Sequence, residues 1–264
     1  MYRFNYEAPT SIDGTLTALR QNSEAKIIAG GMTLLPTMKL RLASPDYLVD
    51  INNIQSLAGI TKNNGSIVIG AMTRHADVAS SALVRDCIPC LANLAEAIGD
   101  RQVRNRGTIG GSVANNDPSA DYPAGLVGLG ATLVTDRREI EADDFFTGMF
   151  ETLLKEDEII TAVRFPIPKR AAYMKFPNPA SRYAIVGVLV AETSNGVRVA
   201  VTGAASCVFR AQAMEVALES EFTPNSIALL TLNSTKFNED IHATAEYRGH
   251  LVNVMARRAV SALT

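Results

Sequence analysis

Short apolar runs alternate with stretches of helical period through the first half of this chain, and glycine or proline separates most of them. Ser11-Ile12-Asp13 reads as a helix start, with Leu16 and Leu19 on its apolar face. Lys26-Ile27-Ile28-Ala29 is a short buried strand that runs into Gly30-Gly31. Beyond that turn Leu34, Leu35, Met38 and Leu42 recur at helical spacing, with Pro36 in the first turn and Ser44-Pro45 as the stop. Tyr47–Ile51 is the next strand.

A second unit begins near Asn53. Ser66–Ala71 reads as a strand, and Thr73 as the cap of a short helix. Leu83, Cys87, Leu91, Leu94 and Ile98 mark one amphipathic helix over 81–98, with Gly99 just past its end. A polar loop from Asn115 to Pro123 opens a helix that runs to about Leu129. Ala131–Thr135, Arg138–Phe146 and Glu158–Phe165 are predicted strands. Phe165-Pro166-Ile167-Pro168 reads as a domain boundary, which divides the chain into 1–165 and 166–264. Beyond it Ser181–Glu192 and Val197–Ala204 form strands around the hairpin signal Asn195-Gly196, and Asp240–Ala262 a final helix.

The candidate chemistry is concentrated in two glycine turns, Ala29-Gly30-Gly31-Met32-Thr33 and Thr108-Ile109-Gly110-Gly111-Ser112. Adjacent glycines permit positive φ and a close backbone approach to a ligand. Successive N–H groups can then converge on a phosphate, and a helix N-terminus behind them favours an anion. Two such turns in one chain fit a diphosphate held from both sides, and a Cβ at Gly30 or Gly111 would enter that site. Neither G-x-G-x-x-G nor G-x-x-x-x-G-K-[ST] is present, which argues against a Rossmann hydride carrier and an NTPase.

Composition narrows the classes further. The chain has 264 residues, 47% of them hydrophobic, enough for a substantial core. A net charge of −2 leaves no footprint for nucleic acid or an anionic membrane. No run approaches the roughly 18 apolar residues of a membrane span, and no signal-peptide core opens the chain, so a cytoplasmic location is expected. Cys87-Ile-Pro-Cys90 and Cys207 supply neither a disulfide framework nor an iron–sulfur ligand set.

Asp121 reads first as a favourable charge at the positive end of the helix dipole, with an acceptor for ribose hydroxyls as the rival reading. Lys175 reads as a solvated strand lysine, and His75, His242 and His250 show no metal spacing. No nucleophile–base set or close carboxylate pair points to hydrolysis, so the chemistry belongs to a cofactor or to another chain.

Residues 27–45, beginning Ile27-Ile28-Ala29-Gly30-Gly31-Met32-Thr33-Leu34, closely resemble the first flavin-binding motif of molybdenum hydroxylase medium subunits, and Thr108–Asp121 resembles their second. Phe145–Gly148, Ala180–Val186 and Asp240–Arg248 are similar to further landmarks of that family, so the resemblance spans the chain in order. It implies an α+β fold: a two-part FAD-binding domain of the vanillyl-alcohol oxidase (PCMH-like) type, with subdomains of about 1–52 and 53–165. A small α+β domain with a three-stranded antiparallel sheet follows.

Carried over by position, Ile27, Ile28, Ala29, Gly30, Gly31, Met32, Thr33 and Leu34, with Thr108, Ile109, Gly110, Gly111 and Ser112, would wrap the FAD pyrophosphate, largely through backbone N–H groups. Asp121 would hold the nucleotide, Ile160 and Lys175 would be further contacts, Tyr183 would lie against the isoalloxazine, and Ile98 near the cofactor. Members commonly carry Gln or His and then Ser where this chain has Met32-Thr33, a change that mainly backbone binding tolerates.

The implied function is that of the FAD subunit of a heterotrimeric molybdenum hydroxylase, assembled as a dimer of heterotrimers. A molybdopterin-bearing large subunit would oxidise the substrate, an N-heterocycle or carbon monoxide. Electrons would cross the [2Fe–2S] clusters of a small subunit to non-covalent FAD here and leave for an external acceptor. The alternative is a self-sufficient flavoprotein oxidase of the same superfamily.

Overall fold

A computed structural model describes residues 1–264. Three sheets carry the fold. In the first, Tyr47–Asp50 lies between Asn5–Glu7 and Ala25–Ile28, all parallel. Helix Ile12–Gln21 covers it through Leu16 and Leu19, which meet Val49 and Ile159. Ser11 starts that helix as read, its hydroxyl accepting from the Gly14 N–H at 3.1 Å.

The second sheet is antiparallel, in the order Ile60–Asn63, Ser66–Gly70, Ile160–Pro166, Thr132–Thr135, Glu139–Glu141. Its apolar face joins helices Pro89–Glu96 and Tyr122–Leu129 in the largest core. Cys90 lies in that core, and burial pushes its thiol up to about 12, leaving it an inert hydrophobe.

The third sheet orders Arg170–Pro177, Ala184–Thr193, Gly196–Thr202 and Phe209–Arg210. Val186, Val188 and Val190 face helices Gln212–Ser220 and Ala245–Ser261. Leu189 and Ala191, pointing the other way, join the largest core beside Tyr122–Leu129. This two-sided burial is why Ala184–Ala191 is apolar almost without interruption. The Asn195-Gly196 hairpin forms with Gly196 at φ +106°.

Several boundaries differ from the sequence reading. The helix over 81–98 is two, Ala82–Cys87 and Pro89–Glu96, because Pro89 drives Ile88 out of helical geometry to φ −142°, ψ 67°. The helix after the first glycine turn ends at Lys39: Arg41 takes φ +61°, and Leu42 stays exposed. Thr73 is not a cap; its hydroxyl exchanges hydrogen bonds with the Gly59 N–H and carbonyl, both at 3.0 Å. The strand read over Arg138–Phe146 covers only Glu139–Glu141 and then coils through Ala142–Phe145. The third sheet gains a two-residue fourth strand beyond the three expected. The last helix starts at Ala245, since Asp240 accepts from the N–H groups of His242 and Ala243 in a turn, and Thr244 is the cap.

Gly203 ties the third sheet to the loop that enters the site. Its N–H donates to the Pro118 carbonyl at 2.8 Å, and its φ is +83°. A Cβ there would lie 2.6 Å from the Ile185 carbonyl oxygen. Gly203→Ala is therefore expected to cost about 2–3 kcal/mol. Urea denaturation with an unchanged midpoint would contradict this reading.

Candidate functional site

The first glycine turn is built by a contact, not by loop freedom. A Cβ on Gly30 would stand 2.2 Å from the Arg106 carbonyl oxygen and 2.7 Å from the Gly107 Cα, so only glycine admits that peptide. Gly31 alone takes the left-handed region, at φ +72°. The N–H groups of Gly30, Gly31, Met32, Thr33 and Leu34 donate to no protein acceptor. Helix Leu34–Lys39 starts directly behind them, and its cap Thr33 makes no side-chain capping bond. Five free donors at the positive end of a helix make an anion cradle.

The second turn is different, and the expectation of one shared design fails here. Gly110 and Gly111 lie inside helix Ile109–Asn115. Its first donors are all engaged: Ile109 N–H to the Thr73 carbonyl at 3.1 Å, Gly110 to Ala71 at 2.8 Å, Ser112 to Thr108 at 3.0 Å. Gly111 N–H donates to the Thr108 hydroxyl at 3.2 Å. Gly110 is glycine because a Cβ would come within 2.6 Å of the Ala71 Cβ. Gly111 faces the first turn, its missing Cβ 3.6 Å from that of Ala29. A side chain at Gly30 would thus strike protein backbone rather than a ligand, and one at Gly111 would press on the Thr108 hydroxyl at 3.0 Å while pointing toward Ala29.

The two segments, packed side by side, line a cleft of about 590 Å³, a size suited to a large cofactor. It brings together Ile27, Ala29–Leu34, Thr108, Gly110–Ser112, Asp121, Ile160 and Tyr183 of the sequence-predicted set, with Ile98 beside Gly99. Ile28 and Ile109 lie in the packed interior, and Lys175 stands behind the wall.

Lys175 is not the solvated lysine read from the sequence. Its side chain is 8% exposed, and Nζ donates to Asp121 at 2.9 Å and to the Ala97 carbonyl at 3.0 Å. The Tyr173 hydroxyl donates to the other Asp121 oxygen at 2.6 Å. Burial pushes the Asp121 carboxyl up, and the Lys175 ammonium and Tyr173 hydroxyl oppose that shift. Asp121 heads helix Tyr122–Leu129 without capping it, and its side chain is held by the third sheet instead. Tyr183 follows Arg182 at φ +62°, in a turn closed by the Asn178 N–H donating to the Tyr183 carbonyl at 2.8 Å. Burial, with the carboxylates of Asp117 and Asp121, pushes its phenol up.

Sequence reasoning missed three groups at this cleft. Asn116, at φ +42°, donates to the Gly148 and Glu151 carbonyls at 2.8 and 2.7 Å and holds a hairpin whose tip puts Phe150 at the mouth. The signal was an Asn in a polar loop, a residue type that tolerates left-handed geometry. Glu158 is fully buried; Arg138 at 2.7 Å, with help from the Thr135 hydroxyl and the Lys155 N–H, holds its carboxyl at about 2. His75 lines the cleft while buried, on the same helix face as Val78 and Ala79, a spacing visible in the sequence. Burial, with repulsion from Arg104, brings its imidazole down to about 4.

His75 therefore resists protonation in the folded state, and between about pH 4 and 6.5 the unfolded chain binds the extra proton. Stability should fall as pH drops through that window. The stability difference between wild type and His75→Gln, from denaturant titrations at pH 4.5 and 7, should shift against wild type at the lower pH. Parallel pH profiles would contradict a buried neutral histidine.

Known proteins match along this whole length. Residues 2–168 match the family described as FAD binding domain in molybdopterin dehydrogenase, and residues 171–263 the CO dehydrogenase flavoprotein C-terminal domain. The carbon monoxide dehydrogenase medium chain of Hydrogenophaga pseudoflava is 37% identical, covering 98% of this chain and 96% of its own. The nicotine 6-hydroxylase medium subunit of Paenarthrobacter nicotinovorans is 35% identical, covering 97% and 95%. A solved carbon monoxide dehydrogenase from Hydrogenophaga pseudoflava, lacking the Mo-pyranopterin moiety, superposes with a TM-score of 0.89 at 38% identity, over 99% of this chain and 97% of that one. With its cradle, its walls and its sequence in agreement, the chain belongs to the family of FAD-binding medium subunits of molybdenum hydroxylases.

Proposed function

We propose that the first glycine turn is the diphosphate site of this subunit, and that the cleft holds FAD without a covalent bond. The observation that carries this reading is the run of N–H groups from Gly30 to Leu34 with no protein acceptor. Across the gap Gly111 offers clearance and Ser112 a hydroxyl, and the Ile109–Asn115 helix adds the positive end of its dipole. Asp121, fixed by Tyr173 and Lys175, retains lone pairs for ribose hydroxyls. Ile98 and Ile160 supply apolar walls, and Tyr183 covers the ring system from the third sheet.

Bound flavin supplies the redox chemistry, accepting electrons one at a time and releasing them in pairs. The chain's own part is to orient that ring and limit water around it. Its only cleft histidine is buried and neutral, and no nucleophile–base pair is needed. We assign it to the relay between the [2Fe–2S] clusters of a small subunit and an external acceptor, in a dimer of heterotrimers with a molybdopterin-bearing large subunit. The substrate bound there is an N-heterocycle or carbon monoxide, in keeping with the relatives. We place the domain boundary just after the strand Ile160–Pro166, slightly beyond the 165/166 expected from the sequence because Pro166 still pairs with Ser66, and the complex in the cytoplasm, where free cysteines are at home.

The purified chain should be yellow, and denaturation should release that colour to the supernatant. A colourless protein that takes up no added FAD would contradict the assignment. Gly111→Val should lose flavin, because its Cβ presses on the Thr108 hydroxyl at 3.0 Å and its branches point toward Ala29 in the cleft wall. Gly30→Ala should lose stability as well as flavin, since its Cβ meets the Arg106 carbonyl. Normal flavin content in Gly111→Val would show that the diphosphate does not pass there.

A further inference from the structure

His75 stands at the junction of the two turns. It is 4% exposed, borders the cleft, and its backbone N–H donates to the Gly107 carbonyl at 3.0 Å. Its Nε2 lies 2.6 Å from the position a Gly107 Cβ would take. Gly107 is the residue whose Cα supports Gly30, so the imidazole edge lies beneath the peptide that carries the first cradle. The Tyr122 ring packs against it with centroids 5.4 Å apart and limits its rotation.

The two ring nitrogens are not equivalent. Nδ1 is enclosed and has no hydrogen-bond partner. An enclosed N–H with no acceptor is rarer and costlier than an enclosed lone pair with no donor. That places the proton on Nε2, the nitrogen beside Gly107, which itself lines the cleft. The one cation acting on it, Arg104, is committed elsewhere: its guanidinium donates to the Ile98 and Gly99 carbonyls, both at 3.0 Å. The site thus has a fixed neutral donor with no acceptor of its own.

We propose that His75 is a diphosphate-binding residue, its Nε2–H donating a hydrogen bond to a phosphate oxygen of FAD held by the first glycine turn. This rests on the reading of the cleft as an FAD site. A neutral donor suits the place, because it adds to the peptide N–H groups without burying a further charge.

Three probes separate the possibilities in the flavin-stripped full chain: FAD, ADP, which carries the diphosphate without flavin, and riboflavin, which carries flavin without phosphate. His75→Leu should weaken FAD and ADP by about tenfold and leave riboflavin unchanged. His75→Gln, which keeps an N–H donor, should recover most of that loss. In wild type the Nε2 resonance in a 15N spectrum should move on adding ADP, a readout that does not depend on how well a variant folds. Wild-type affinity for ADP in His75→Leu, an equal loss for riboflavin, or a still Nε2 resonance when ADP is bound would each overturn the proposal. Failure of wild type to bind any of the three would instead remove the FAD reading beneath it.

Discussion

One close approach without side chains governs the site: Gly30 against the Arg106–Gly107 peptide. Because no Cβ intervenes, the strand Ala25–Ile28 delivers its turn directly onto the segment that precedes helix Ile109–Asn115. The two turns then face each other, and the donors of the first are left pointing away from any protein acceptor. Leaving five peptide donors unpaired is costly unless a ligand or water takes them. An anionic ligand that meets them gains bonds the protein does not make itself, a familiar route to tight binding from neutral groups. The second turn spends its donors on its own fold and contributes shape, so the pair is a cradle and a wall, not two halves of one design.

The third sheet completes this arrangement rather than trailing behind it. Its strand Arg170–Pro177 sends Tyr173 and Lys175, two residues apart and hence on one face, to the Asp121 carboxylate. Lys175 also holds the Ala97 carbonyl, next to Ile98 and Gly99 in the cleft wall. A buried ion pair of this kind gives little net stability, but it fixes geometry, since breaking it would strand a charge. The Thr202 hydroxyl and the Gly203 N–H, both bonded to the Pro118 carbonyl, secure the same loop from another strand. Tyr183, the proposed flavin contact, therefore stands beside a sheet already locked to the Asp121 side of the cleft.

Much of this was legible in the sequence, and the misses have physical causes. Both glycine turns, the helix starts at Ser11 and Leu34 and the Asn195-Gly196 hairpin announce themselves through local residue types. Why Gly30 and Gly110 are glycine was not legible, because the atoms they must avoid belong to Arg106 and Ala71, far away in sequence. Lys175 was misread for the same reason: its partner is brought to it by tertiary structure. Other misses had local signals. Ile88-Pro89 is a helix break on its face, and the buried face of His75, Val78 and Ala79 follows helical spacing.

In the proposed site the first turn, not the second, captures the diphosphate through its backbone. Amide hydrogen exchange of the flavin-free and flavin-loaded chain reads this residue by residue. The amides of Gly30–Leu34 should exchange rapidly without FAD and become protected when it binds. Those of Ile109–Ser112 should be protected in both states, because the fold already holds them. Protection gained at Gly110–Ser112, with Gly30–Leu34 unchanged, would contradict the account.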